Sequence, residues 1–515
     1  MKRPQLVSKG TLARLLNAAD EAKKKREFEQ CTELLERATR LDPGNPILLL
    51  NLGHALGTRF DYPAAQTAFE RAIRISPRKA EAFAAAGFRA RDFGNHKLAE
   101  HYYRLAAAQK DVTAETLVAL AEISERYSRL EEAAQLIDQA LRLKPNFAHA
   151  LLVRARLERQ AGKLNEAEST LRSIPVNGDY ISVQALYELG ATLDRQGRYD
   201  DAMAAYLKAK ASHGQSAAIH SGELKIIRAR LKNLRDCLSS DVLRRWHKQA
   251  EELQPLRRLA LLCGHPRSGT TLLEQVIDSH PEIVSAEETE IFHDCAYMPL
   301  MRIFPPDAPI ISFLESANPP ALRQSRENYF RSMELFLGES IGGRLLVDKN
   351  PSLTFLMPHF IRIFPEIKFM VALRDPRDVV MSCFMQPLPL NQMASAYLTL
   401  EGTVEDYIEL MTMYRTVSAQ MANECLEVRY EDMVNDLESV ARRTLSFLGV
   451  PWDERVLRFH EHAQQKVVRS PTYADVTKPV FKRAVGRWHH YRKYLEPHLE
   501  KLAPFVRVFG YEWTD

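Results

Sequence analysis

Cysteine is scarce in this sequence: six residues, at positions 31, 237, 263, 295, 383 and 425 of 515, with no Cys-x-x-Cys pair. That spacing suggests neither a zinc site nor a disulfide framework, and a reduced, cytoplasmic setting fits it best. Long apolar runs are missing as well. Nowhere do roughly 18 uncharged apolar residues stand together, which removes a membrane span. The basic residues Lys2, Arg3 and Lys9 near the N-terminus are not followed by the apolar core that a secretory signal needs. Net charge is only +4, from 70 basic and 66 acidic residues. So mild a surplus argues against a nucleic-acid partner and allows no more than a local anion site.

What remains is a globular composition, 45% hydrophobic and 26% charged, in a chain too long for one ordinary core. Two or more domains are expected. Small residues recur through the first 215 positions in registers 34 residues apart: Cys31, Ala65, Ala99, Ala133 and Ala167; Ala38, Ala72, Ala106 and Ala140; Gly53, Gly87, Ala121 and Ala155. Pro43, Pro77 and Pro145 punctuate the units, with Asp111 where one proline is absent, and the last unit, around Gly190, Gly197 and Ala202, is shifted by one residue. The period and its small residues resemble the tetratricopeptide repeat, a helix–turn–helix unit in which small side chains let paired helices approach closely. Five to six such units imply an all-α superhelix over residues 1–215. Its concave face suits a protein or peptide partner; the alternative is a rigid platform or dimerisation surface, which keeps a homodimer open. Residues 216–255, rich in Lys, Arg, Leu and Glu at helical spacing, read as capping and linker helices closed by Pro255.

The second half is organised around residues 259–278. An apolar run, 259–263, reads as a buried strand, and Leu272, Leu273, Val276 and Ile277 recur at helical spacing. Between them, Gly264-His-Pro-Arg-Ser-Gly-Thr-Thr271 forms a strand–loop–helix joint of the kind that aims backbone N–H groups and a positive helix end at a phosphate. An ordinary glycine-containing turn is the structural alternative. The spacing approaches G-x-x-x-x-G-K-[ST], but Thr270 stands where the lysine would be, which argues against an NTP hydrolase or kinase. Arg267 supplies positive charge from inside the loop instead. Further strand-then-helix units follow at 344–347, 368–373 and 427–430, with helices near 354–363, from Pro376, and over about 432–448. Alternation of this kind means a P-loop-like parallel α/β domain over 256–515, with its ligand at the carboxyl ends of the strands.

Three stretches, Pro266-Arg-Ser-Gly-Thr-Thr271, Ala286-Glu-Glu-Thr289, and Leu373-Arg-Asp-Pro-Arg377 with Ser382 eight residues after Arg374, together resemble sulfotransferases that use 3'-phosphoadenosine 5'-phosphosulfate. The closest likeness is to the tyrosylprotein sulfotransferase branch, and fusion to repeats resembles bacterial repeat-containing sulfotransferases. The resemblance implies transfer of a sulfuryl group from that nucleotide to a hydroxyl of a peptide, protein, glycan or small molecule, with no metal required. It implies that Arg267, Ser268, Gly269, Thr270 and Thr271 hold the 5' phosphate and sulfuryl oxygens, and that Glu288 is the general base, with Glu287 as the alternative. Lys349, in Asp348-Lys-Asn-Pro351, would stabilise the leaving phosphate; a surface lysine is its structural alternative. Arg374 and Ser382 would take the 3' phosphate, with Arg377 a further contact or an ordinary helix residue. Tyr430 matches a tyrosine near the nucleotide or is a buried strand residue. Ser470 would approach the sulfuryl end, and Arg487, beside Trp488, would help hold the 3' phosphate. His265 reads as a solvent or backbone contact rather than a catalyst. The segment 298–309, with four prolines and a helical stretch to about 338, could cover the acceptor. Two other functions stand against this one: a P-loop kinase or NTPase, and a repeat scaffold whose nucleotide-binding half is inactive.

Overall fold

The computed structural model describes residues 9–212, 214–302, 304–305, 308–387, 390–463, 480 and 482–513. The chain divides into two compact units, Met1–Leu157 and Glu158–Asp515.

In the first unit, helix follows helix: Lys9–Lys24, Phe28–Leu41, Pro46–Thr58, Tyr62–Ile75, Lys79–Asp92, His96–Ala107, Ala114–Arg126 and Leu130–Leu143 make four successive pairs. The recurring alanines 38, 65, 72, 99, 106, 121, 133 and 140 have no exposed surface. At Gly53 even a methyl group has no room, since a Cβ there would overlap the Phe69 ring of the partner helix; Gly87 faces Tyr103 in the same way, at 3.1 Å. Asn45, Asp61, Asn95 and Thr113 cap the helices that follow them by accepting from backbone N–H groups. These caps satisfy donors that the first turn leaves open and set where each helix begins.

The second unit opens with further repeat helices, Leu164–Arg172, Tyr180–Arg195 and Tyr199–Ala211, in which Gly190 makes room for Tyr206. The expected linker is helical: Gly214–Cys237, Ser240–Lys248 and a 3-10 turn, Gln249–Leu253. Arg228 docks the first of these on the Leu400–Ser418 helix through Glu409 at 2.7 Å and Asp406 at 3.4 Å.

Five parallel strands follow, β1 (Leu259–Gly264), β2 (Ile283–Glu287), β3 (Leu345–Lys349), β4 (Lys368–Leu373) and β5 (Cys425–Arg429), in the order β2-β3-β1-β4-β5. Connections run to one side of β1 and then to the other, so the strand order reverses at β1, the place where open α/β sheets bind ligands. The register pairs Leu262 and Glu287 with Lys349, and Gly264 with Ala372. The carboxyl ends of β1, β2, β3 and β4 therefore finish side by side.

Several boundaries differ from the sequence reading. β2 is a strand that the reading does not anticipate. β3 extends through Lys349, placing Asp348 and Lys349 inside the sheet rather than in the loop after it. The helix expected near 354–363 is a 3-10 turn, Pro351–Leu356, before an α-helix, Met357–Ile363, with Pro358 in its first turn. The helix after β5 breaks at Asp436, which caps a new start by accepting from Ser439 N–H at 3.1 Å. Between β2 and β3 the chain forms a π-helix, Phe292–Tyr297, and the helices Met298–Met301, Ile310–Ser316 and Pro319–Leu337.

Gly53→Ala should lower stability by about 1–3 kcal/mol, the cost of overpacking against Phe69. Gly44→Ala, where nothing lies within 4 Å, should not. Thermal melts of the two variants check this; equal melting temperatures would contradict the packing account.

Candidate active site at the carboxyl ends of the strands

The loop after β1 folds as it does because three of its residues take left-handed backbone: Gly264 at φ 131°, Arg267 at 72° and Gly269 at 99°. Glycine is required at two of them for a second reason. A Cβ on Gly264 would collide with the Ala372 carbonyl of β4, and one on Gly269 would stand 2.8 Å from the Tyr430 ring. Thr354, in the turn after β3, fixes the end of β1 where the loop begins by accepting from Gly264 N–H at 2.9 Å and donating to the Gly264 carbonyl at 2.7 Å. The loop then feeds the helix Thr270–Asp278, whose N-terminus no side chain caps. The Ser268 hydroxyl is buried and has no hydrogen-bond partner among the described residues. An uncapped helix start beside an orphaned hydroxyl is a cradle that a phosphate oxygen fits.

Next to this cradle, at the end of β3, the Lys349 ammonium has no exposed surface. It donates to Glu288 Oε1 at 2.9 Å, Glu287 Oε1 at 3.1 Å and Thr271 Oγ1 at 3.4 Å. Burial alone would lower its pKa, but the carboxylates of Glu287, Glu288 and Glu274 outweigh burial and raise it, so the ammonium stays charged. Glu287 is buried, whereas the Glu288 side chain is one-third exposed. Glu288 has φ 50° and its N–H donates to the Lys349 carbonyl at 2.7 Å. A non-glycine residue held left-handed at a site is the kind of local strain that surrounding structure must enforce. Here the β2–β3 register enforces it.

On the other side of β1, Arg267 Nε donates to Ser382 Oγ at 3.1 Å, and Arg374 Nη1 donates to the Arg267 carbonyl at 3.3 Å. The Arg374 guanidinium lies 5.0 Å from the Tyr430 ring centre, and its Nε is buried without a hydrogen-bond partner among the described residues. Arg374 also bonds the Ala484 carbonyl and approaches Asp378 at 3.5 Å. The structure thus gathers Arg267, Ser268, Gly269, Thr271, Arg374, Ser382 and Tyr430 around one loop, with Lys349 and Glu288 at its flank.

Two other residues lie apart from this cluster, and a third is not described. Arg487 is directed to Asp194, at 2.7 Å, because that carboxylate offers a bidentate partner within reach. Arg377 grips Asp375 at 2.9 and 2.7 Å and stacks 4.1 Å from the Trp488 ring centre, so its charge is used in the fold. Ser470 falls outside the described residues.

Of two further neighbours, His265 makes the backbone contact that was one of its two expected roles, and Asp378 was given no role by the sequence reading. His265 is buried, not in solvent: its Nδ1 is 2.9 Å from the Pro266 carbonyl and its Nε2 3.4 Å from Asp406. Burial would lower its pKa, yet Cys383 and Asp406 push it up to about 10. Asp378 accepts from Gly486 and Trp488 N–H groups, both at 2.8 Å, and only its spacing of four from Arg374 hinted at a partnership.

Residues 260–454 match the Sulfotransferase family, and residues 126–180 and 152–217 match the Tetratricopeptide repeat. The chain therefore carries a sulfotransferase-family domain in its C-terminal half, behind tetratricopeptide repeats. Within that class its similarity runs to protein-tyrosine sulfotransferases. Protein-tyrosine sulfotransferase A of Caenorhabditis elegans is 26% identical over 268 residues, 48% of this chain and 66% of that protein. Protein-tyrosine sulfotransferase 1 of Danio rerio is 27% identical over 275 residues, 49% of this chain and 72% of that protein. An uncharacterized protein of Aquifex aeolicus (strain VF5) is 22% identical over 387 residues, 72% of this chain and 48% of that one. The chain thus spans about half the length of the Aquifex relative and about two thirds of the nematode one. Among solved structures, the sulfotransferase domain of the Synechococcus PCC 7002 olefin synthase is similar at 21% identity and a TM-score of 0.36, over 51% of this chain and 98% of that one. No helix among the described residues is long and apolar enough to cross a membrane.

Beside Lys349, the fully buried Asp348 accepts from the Tyr329 hydroxyl at 2.8 Å while its Oδ1 has no hydrogen-bond partner among the described residues. Burial pushes its pKa up to about 7 from 3.8. Its protonated form is the one the fold favours, so this contribution to stability is complete below about pH 4 and is lost as pH rises through about 7. Asp348→Asn removes the titration. The melting-temperature difference between variant and wild type should move in the variant's favour across that window; a difference that does not change with pH would contradict the assignment.

Proposed function

We propose that this chain is a sulfotransferase that moves a sulfuryl group from 3'-phosphoadenosine 5'-phosphosulfate to a hydroxyl acceptor. The observation that carries the reading is the buried Lys349 ammonium, shared by Glu287 and Glu288 and touching Thr271 at the rim of the phosphate loop. The donor supplies a sulfuryl group on a phosphate leaving group. Arg267, the Ser268 hydroxyl and the uncapped start of the Thr270–Asp278 helix receive the 5' phosphate. Lys349 sits where positive charge stabilises the phosphate as it leaves, and the partly exposed Glu288 takes the acceptor proton. Such a reaction rests on positioning and fixed charge, by analogy with phosphoryl transfer. Arg374 and Ser382 hold the 3' phosphate, and Tyr430 packs the loop from below.

Glu288 is preferred to Glu287 as the base because it is the more exposed of the two, and an acceptor must reach it. Thr270 in place of the P-loop lysine disfavours the kinase or NTPase reading. The retained lysine and glutamates disfavour an inactive scaffold. The relatives named for protein tyrosine make a tyrosine hydroxyl a reasonable acceptor to try first, with other hydroxyls next. In this reading residues 1–215 recruit the acceptor or a partner, 216–255 cap that array, and 256–515 perform the transfer. The scarcity of cysteine and the lack of a Cys-x-x-Cys pair are what support a reducing, cytoplasmic location in this reading.

The test is transfer of labelled sulfate from the donor into a fractionated cell extract, with identification of the labelled product. Glu288→Gln should reduce transfer by about 10²–10⁴-fold, the usual worth of a general base, while nucleotide binding persists. Arg267→Ala should weaken both. Transfer at the wild-type rate in Glu288→Gln would remove the proposed base, and magnesium-dependent turnover of ATP would favour the kinase reading.

A further inference from the structure

The last repeat helices and the C-terminal segment of the α/β domain belong to one compact unit, and their contacts converge on a single carboxylate. Asp194, near the end of the Tyr180–Arg195 helix, pairs with Arg487 at 2.7 and 3.3 Å and accepts from the Tyr491 hydroxyl at 2.5 Å. Its side chain is only 13% exposed. Tyr491 is fully buried, and the Tyr199 ring of the next repeat helix meets it edge-on at 5.6 Å while stacking on His490 at 4.2 Å. A second carboxylate, Asp200, reaches the same stretch through Lys493 at 2.7 Å and Tyr494 at 3.0 Å, but that group is exposed.

The opposite edge of this stretch faces the nucleotide site. Gly486 and Trp488, the two neighbours of Arg487, each donate a backbone N–H to Asp378. The Ala484 carbonyl accepts from Arg374, which also faces Asp378 and donates to the Arg267 carbonyl of the phosphate loop. One residue therefore separates the group that Asp194 grips from the two amides that hold Asp378. A turn fixed at Arg487 and Tyr491 holds Gly486 and Trp488 on Asp378 and the Ala484 carbonyl on Arg374; a turn free to shift would carry Arg374 with it. Charged hydrogen bonds at partly buried positions are strong enough to impose such a constraint.

We propose that Asp194, a residue of the repeat region, is a positioning residue for the nucleotide site, fixing residues 484–491 so that Arg374 is held ready for the 3' phosphate. The inference rests on the proposed sulfotransferase reading and adds to it: the final repeats are part of the machinery that recognises the donor, in addition to any partner they recruit.

Calorimetric titration of the full chain with adenosine 3',5'-bisphosphate and with adenosine 5'-monophosphate tests this. Wild type should prefer the bisphosphate. In Asp194→Asn the bisphosphate affinity should fall about tenfold, the loss expected from one charged hydrogen-bonded contact, with the monophosphate affinity unchanged. Tyr491→Phe, which deletes one hydroxyl, should move the ratio the same way by less, and Asp200→Asn should leave it alone. A general loosening would lower both affinities together, so equal losses in Asp194→Asn overturn the positioning role. So does an unchanged ratio in both Asp194→Asn and Tyr491→Phe. Should Asp194→Asn fail to fold, Tyr491→Phe alone decides. Wild type without preference for the bisphosphate overturns the functional reading itself, a result distinct from preserved preference in wild type and variant alike.

Discussion

A lone ammonium buried at the end of a β-strand is among the costlier groups a fold can hold, and Lys349 is tolerated because two carboxylates meet it there. Everything needed for that meeting is set by strand register. Glu287 stands beside Lys349 because β2 and β3 pair in parallel with those residues opposite, and the loop after β1 begins one strand away because β1 pairs with β3 at Leu262. A shift of one residue in either pairing would turn the lysine to the other face and leave its charge without partners. The apolar strand interiors, fully buried through β1, hold that register.

The same logic governs the loop. Its backbone needs left-handed conformations at Gly264 and Gly269 and tolerates one at Arg267, and the neighbours that forbid a side chain at the glycines are the β4 carbonyl and Tyr430. Tyr430 therefore has a structural duty, supporting the loop, as well as a place under the Arg374 guanidinium. In the repeats, the small residues act likewise: what they omit is as specific as what they contribute, and the aromatic rings of partner helices fill the spaces left at Gly53, Gly87 and Gly190.

Much of this was legible in the residues alone. The repeats announced themselves by a period, β1 and the loop after it by an apolar run ending in glycine, and β4 by an apolar run ending at Arg374-Asp-Pro376, all of which are local patterns. Lys349 could be named as a site residue, but its burial inside the strand could not, because that depends on pairing with β2, whose short sequence Ile283-Val-Ser-Ala-Glu287 carries an apolar signal too weak to stand alone. Arg487 shows the limit most clearly. Its position beside Trp488 suggested a phosphate, yet its partner is a carboxylate 293 residues earlier in the chain. No local spacing encodes that choice. Asp378 was given no role, and the burial of His265 against Asp406 was not legible, for the same reason: the 486–488 amides and Asp406 come from other elements.

In the proposed function, a nucleotide with two separated phosphates spans β1, one phosphate in the loop and the other on the β4 side. A structure of the chain with adenosine 3',5'-bisphosphate bound tests it most directly. The expected result has the 5' phosphate within hydrogen-bond reach of the Ser268 hydroxyl and of Lys349, and the 3' phosphate against Arg374 and Ser382. A nucleotide seated elsewhere, or one whose 3' phosphate meets neither Arg374 nor Ser382, would contradict it.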